Sequence, residues 1–365
     1  MAGKTWGLLG AMRHFRRPGI IGLLAVATLL AATPAVAAPA NTPTIVNLGT
    51  LPGDVSSYAV AVNNFGIVIG SSTDAAGNSR AVKWNAAGVI TALSTLPGGT
   101  YSQAYAINDF GTIVGDADTS TGDEHAVQWN PAGVITDLGA LPDQRILDSE
   151  AFGINDLGVV VGDDNFAPRF TDATEWNASG TISDIGAALA IGDTSGTAIN
   201  DFGVVAGSQI NIHAANHAIR INPDGTSLAL PDLPGAAGGG VVGNGSEANG
   251  INNADTIVGD SPTSTIRVHH AVRWNRQGAV TDLGTLPGGI ASSASSINDL
   301  GLIAGESDDG TVGHAVLWSP DGRISTLPDL PGGSNGEAAA ISDTGIVVGS
   351  DDDTQGNSVA VRWRV

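Results

Sequence analysis

The sequence contains no cysteine among its 365 residues. A disulfide scaffold, a thiolate zinc site, an iron–sulfur cluster and a cysteine nucleophile are therefore excluded. Charge is scarce, at 14% of residues, and positive charge is scarcer, with 15 Lys+Arg against 36 Asp+Glu. A formal net charge of −21 argues against nucleic acid or an anionic membrane as partner, because both need a basic surface. There is no complete Gly-x-x-x-x-Gly-Lys-Ser/Thr phosphate loop and no His-Glu-x-x-His helix. What is present is apolar content of 42%, which excludes an intrinsically disordered chain, and 51 glycines.

Residues 1–37 hold Lys4, Arg13, Arg16 and Arg17 and no acid. An apolar run, Ile20 to Ala32, leads into Thr33-Pro34-Ala35-Val36-Ala37. This order predicts a secretory signal peptide cut after Ala37. A retained anchor is the competing reading, but the run is short of the roughly 20 residues that span a bilayer. Arg16-Arg17 would suit twin-arginine export, yet Pro18-Gly19 follow where apolar residues are expected. Cleavage would leave residues 38–365 with a formal charge of −25, destined for the extracellular space.

The remainder is periodic. The segment Ala104-Tyr105-Ala106-Ile107-Asn108-Asp109-Phe110-Gly111-Thr112-Ile113-Val114-Gly115 is followed by His125-Ala126-Val127-Gln128-Trp129 and Val134-Ile135-Thr136-Asp137-Leu138. The glycine closing the apolar run recurs at Gly70, Gly115, Gly162, Gly207, Gly259, Gly305 and Gly349. A period near 46 residues marks a repeat architecture. Each repeat holds four β-like runs, called here strands a (Ala104–Ile107), b (Thr112–Val114), c (Ala126–Trp129) and d (Val134–Leu138). Asn108–Gly111 and Asn130–Gly133 read as tight a–b and c–d hairpin turns, with Gly taking the positive φ.

A solenoid or a β-propeller could be built from such units. The chain opens with an isolated strand d, Thr44–Leu48, and its last repeat ends in a strand c, Ala360–Trp363. Pairing the two would complete a ring and protect the sheet edges. The expectation is an all-β, seven-bladed β-propeller in one domain, 38–365, closed by the N-terminal strand. Strand a would lie nearest the axis, with small residues such as Ala59, Ala104 and Gly196 suiting a crowded centre.

The repeated Ile-Asn-Asp-x-Gly-x-Ile-Val-Gly, His-Ala-Val-x-Trp and Asp-Leu-Gly-Thr-Leu-Pro-Gly-Gly motifs resemble the HAF-type repeats of bacterial extracellular proteins. The resemblance covers 44–365 and implies a secreted bacterial protein; it carries no defined activity to transfer. Repeat four departs from it, with Ile221 in place of Trp and Ile185-Gly186-Ala187-Ala188 in place of Leu-Gly-Thr-Leu-Pro. That blade is expected to be less regular.

Residues with chemical potential have structural readings. His125, His217, His270 and His314 share one repeat position, so a whole blade separates each from the next; they are read as strand c residues bonded to a turn or neighbouring strand. The adjacent pair His269-His270 points to opposite faces. Six repeated tryptophans could form a sugar platform, but packing between blades is the stronger reading. The Asn-Asp pairs fit hairpin turns. No catalytic, cofactor or metal residue is singled out.

Alternating strands put the a–b and c–d turns on one face and the b–c loops and d-to-a crossings on the other. That second, long-loop face carries 23 of the 36 acids, counted over loops such as 116–124, 306–313 and 350–358 and crossings such as 139–150 and 231–247. Asp116–Asp123, Glu306–Gly310 and Asp351–Asp353 are where Ca²⁺ would bind if at all, although no complete twelve-residue loop with a terminal Glu is present. The functional expectation is a secreted, non-enzymatic, monomeric binding module that engages a protein or glycan through this face. The alternative is an extracellular propeller enzyme, a glycan lyase or hydrolase, on fold analogy alone. A surface or matrix structural protein is a third reading.

Overall fold

Every apolar run of the repeat becomes a strand. The computed structural model describes residues 42–141, 148–167, 170–186, 193–210, 216–236 and 245–365. Residues 1–37, where a signal peptide is expected, lie outside them. The described strands number 28 and group into seven four-stranded antiparallel sheets, with no helix among the described residues. Strand a of blades one to seven is Asp54–Val62, Ser102–Ile107, Asp148–Ile154, Thr194–Ile199, Glu247–Ile251, Ser292–Ile297 and Glu337–Ile341. In six blades the four strands follow one another in sequence.

The seventh sheet is different and closes the ring. Thr44–Asn47 pairs antiparallel with Ser358–Arg364, in the register Thr44↔Arg364, Ile45↔Trp363, Val46↔Arg362, Asn47↔Val361. Leu48 continues the contact by donating its N–H to Ala360 O at 2.8 Å. Blade seven thereby gains the same outer strand as the other six, and the edge of Ser358–Arg364 is covered.

Both turns form as the residue types dictate. In blade two Gly111 N–H donates to Asn108 O at 3.0 Å with Gly111 at φ 79°, and Gly133 N–H to Asn130 O at 2.7 Å with φ 81°. The turn asparagine side chain adds a second bond, Thr112 N–H to Asn108 Oδ1 at 3.0 Å. Asn tolerates this position because its short amide mimics a backbone acceptor.

The core lies between blades. Trp84, Trp129, Trp176, Trp274, Trp318 and Trp363 are fully buried. Trp129 of blade two packs on Ile69, Ala81 and Leu93 of blade one, and the same relation recurs around the ring. In four of the six the indole N–H donates to a carbonyl where the chain crosses between blades, as in Trp129 Nε1 to Ser94 O at 2.7 Å, whereas those of Trp84 and Trp318 have no partner among the described residues. A sugar platform is thus ruled out for these six rings. Ile221 fills the equivalent place in blade four, against Val161 and Ala173. That blade keeps four strands in the common order, Thr194–Ile199, Val205–Ile210, Asn216–Ile221 and Ser227–Ala229, so the expected irregularity is not found; its residues 187–192 and 211–215 lie outside those described.

Candidate functional site

Strand a does surround the axis, but the small residues expected to face it, such as Ala59, Ala104 and Gly196, do not line the channel, whose wall is the three residues after each, as in Tyr105-Ala106-Ile107. All seven a–b pairs shift register by one residue, for example between Ala104 and Ala106. This β-bulge turns the extra residue, Tyr105 in blade two, into the channel. Ala59, Ala104 and their equivalents instead pack against neighbouring blades. The bulge also explains the recurrent glycine. A Cβ on Gly115 would stand 1.9 Å from Gln103 O, and all seven glycines have such a contact, at 1.8 to 2.1 Å. Within a channel of about 280 Å³, bulged Tyr105 and Phe152 line one arc and Thr197, Asn249 and Ser295 another. Tyr105 and Phe152 stand edge to face, with centroids 5.2 Å apart.

At the short-turn end the channel opens through two rings of hydrogen bonds. The first turn residue reaches the next blade: Asn63 Nδ2 donates to Asn108 O, Asn108 to Asn155 O, and so on to Asn298 Nδ2 on Ser342 O, at 3.0–3.2 Å. The second residue closes a full circle. Asn64, Asp109, Asp156, Asp201, Asn253, Asp299 and Asp343 each donate the backbone N–H to Oδ1 of the next, at 2.8–2.9 Å. Five carboxylates thus surround a mouth of about 220 Å³. The two amides sit between acids: Asn64 Nδ2 donates to Asp109 and Asp343, and Asn253 Nδ2 to Asp201 and Asp299. Burial, and the charges of Asp109, Asp201 and Asp343, push the Asp156 carboxyl up against the opposing N–H bond from Asp109.

At the long-loop end the strands are longer than the sequence suggests. Strand b of blade two runs Ile113–Asp118, and strand c begins at Glu124. Acids expected on loops therefore sit on strands. Asp116, Asp164, Asp260 and Asp351 are buried, so this is not simply a solvated rim. Between blades two and three, burial pushes Asp116 up to about 7, helped by Glu150 and Glu124. Asp163 is raised to about 7 by burial and by Glu150, against a bond to Ser195. Glu150 is raised by burial, Glu124 and Asp148. Asp116 Oδ1 is buried with no hydrogen-bond partner among the described residues. Two of the three tyrosines, Tyr101 and Tyr105, belong to this cluster, their hydroxyls held neutral by burial and by Asp116.

The histidines are spread as their repeat position requires. His125 Nδ1 lies 2.9 Å from Asp137 and His270 Nδ1 3.0 Å from Asp282, both on strand d; His314 Nε2 lies 3.2 Å from Asp309 in its hairpin. His217 is on strand c of blade four. His269 has no histidine equivalent in other blades. Its Nδ1 lies 2.5 Å from Asp260, whose other oxygen accepts from Ser293 Oγ at 3.3 Å. The pair borders a pocket of about 310 Å³ with Glu306 and Asp308.

The acidic hairpins use their oxygens locally. Asp118 accepts from the N–H groups of Thr100 and Tyr101, Asp308 from those of Ile290, Ala291 and Gly310, and Asp353 from those of Gln355 and Asn357. Such bonds hold Asp308 and Asp353 below the usual carboxylate range. Among the described residues no group of three or more His, Asp or Glu is placed to hold one metal ion.

Neither a family model nor a curated protein matches this chain. Solved structures do. In fold the chain resembles virginiamycin B lyase from Staphylococcus aureus, with TM-score 0.56 and 15% identity over 89% of this chain and 99% of that one. A streptogramin B lyase structure gives 0.55 and 15% over 88% and 97%. A puromycin-hydrolysing peptidase of Mycobacterium tuberculosis gives 0.56 and 13%, covering 84% of this chain and 50% of the other. At such identity these likenesses show the propeller fold alone.

The sequence reading missed the bulge, the carboxylate circle and the acid–tyrosine cluster. A signal existed for the first: the variable x of Ala-x-Ala-Ile, flanked by invariant small residues and opposite an invariant glycine, is the pattern of an extra residue at a close backbone approach.

Proposed function

We propose that this chain is a secreted, non-enzymatic binding module that takes a positively charged protein or glycan on its long-loop face. The resemblance to HAF-type repeats and the signal-like N-terminus support secretion. The observation that carries the binding reading is the crowding of Asp116, Glu150 and Asp163 between blades two and three. Burial and their mutual repulsion raise all three carboxyls, Asp116 and Asp163 to about 7, and Asp116 Oδ1 has no hydrogen-bond partner among the described residues. A cationic group arriving there would favour their ionisation. Protein and glycan arrays probed with the purified protein test the reading. Binding that weakens with salt and with Asp116→Asn or Glu150→Gln supports it; partners unaffected by both changes would overturn it.

A second reading is an enzyme. The favouring observation is the Asp260–His269 pair beside Glu306, whose carboxyl is raised by partial burial and by Asp260. A carboxylate-oriented imidazole and a carboxyl whose proton affinity is raised suit the roles of general base and general acid in one pocket. Activity on a glycan panel, abolished by His269→Ala without loss of folding, would favour this reading over the first.

A further inference from the structure

The short-turn face exposes large apolar side chains at one repeat position around the axis. Phe65, Phe110, Leu157, Phe202 and Leu300, the third residues of the a–b turns, are each 66% to 70% exposed. Isolated exposed apolar residues are ordinary, whereas a concentric set of them marks an interaction surface. Turn formation does not require them, because Ala254 and Thr344 hold the same position in blades five and seven.

The set encloses the axial mouth and its five carboxylates. Between Phe65 and Phe110 lies a pocket of about 260 Å³, walled also by Ile67, Val89 and Pro131. Asp109 borders both this pocket and the mouth. An apolar site and an anionic site therefore adjoin on one surface.

We infer that the short-turn face docks a polypeptide segment that places a Lys or Arg side chain in the axial mouth and an apolar side chain in the Phe65–Phe110 pocket. Charge selects this occupant. A second copy of this chain would bring a like ring of carboxylates against the first, and an anionic bilayer would be repelled by it. Arg suits the mouth best, since its planar fork can bond two carboxylates at once. This surface is opposite the one assigned above and stands independently of it.

The test uses synthetic peptides with one central Arg, flanked at one to three residues by Leu or Phe, and the same peptides with citrulline, its neutral isostere. Binding to the purified protein is read by fluorescence anisotropy. Saturable binding of Arg peptides, weaker by about tenfold for citrulline, is expected. Asp156→Asn/Asp201→Asn should reduce it by about tenfold, and Phe65→Ser/Phe110→Ser by a similar factor. An Asn side chain suits these positions, because Asn64 and Asn253 already accept the same backbone N–H bond through Oδ1 in the circle. Gln355→Ala, on the opposite face, should leave affinity unchanged. No saturable binding at millimolar peptide, equal affinity for citrulline, or indifference to both double variants overturns the proposal. So does concentration-dependent self-association abolished by Phe65→Ser/Phe110→Ser, which would assign the face to a second copy.

Discussion

Asp343 donates its backbone N–H to Asn64 Oδ1 at 2.8 Å, across 279 residues of sequence. This bond joins blade seven to blade one at the axis, as Ile45 and Trp363 join the chain ends at the rim. The ring is thus closed twice, inside by a turn and outside by a strand, and the two closures are separable by mutation.

Deleting residues 38–49 should remove the outer closure. It strips the edge strand from Ser358–Arg364 and uncovers the side chains Ile45 and Leu48 help bury. The expected loss is at least several kcal/mol, read by chemical denaturation. Unchanged stability would mean that the inner circle alone holds the ring.

Two glycines of blade two should respond differently to alanine. Gly115→Ala drives a Cβ to 1.9 Å from Gln103 O and should cost about 3 kcal/mol or more, because backbone on both sides must move. Gly133→Ala meets nothing within 4 Å and carries only the penalty of φ 81°, about 1 kcal/mol. Similar losses at both positions would contradict the bulge as the reason for the repeated glycine.

Asp116 and Asp163, both raised to about 7, hold their protons more tightly folded than unfolded. Stability should therefore rise as pH falls from about 7 towards the unfolded value near 4. Below that it should fall, as Asp308, held low in the fold, becomes protonated. Asp116→Asn should raise stability by about 1–3 kcal/mol at pH 8 and by little at pH 5. A melting curve equally shifted at both pH values would assign Asp116 a purely steric role.

Millimolar CaCl₂ should raise the melting temperature no more than NaCl of matched ionic strength. The carboxylates of Asp118, Asp308 and Asp353 already accept backbone N–H bonds, so cations act by screening. A Ca²⁺-specific upward shift, lost in Asp116→Ala/Asp118→Ala, would establish a site in blade two.

The strands, turns and closure were legible because each rests on local spacing. Gly at the turn end, Asn at its start and Trp ending strand c are identified within a few residues, and the odd strand d at Thr44 pointed to its partner at Trp363. The channel wall was not legible in the same way. Strict alternation puts Tyr105 beside its flanking alanines on opposite faces of a flat sheet, whereas the one-residue bulge rotates it towards the axis. The acids at Asp116 and Asp163 read as loop because carboxylates are rare inside strands, and pairing with Ala126 and Ala173 overrode that preference.

From the sequence alone came the repeat, its four strands, the count of seven and the circular order of the ends. These follow from periodicity and from the obligation to pair every strand edge. Only the tertiary structure decided which residues meet around the axis. The Asn64–Asp343 circle, the Asp116–Glu150 crowding and the exposed Phe65–Phe110 pocket each join residues of different blades. Their approach is set by ring curvature and blade register, neither of which a single repeat encodes.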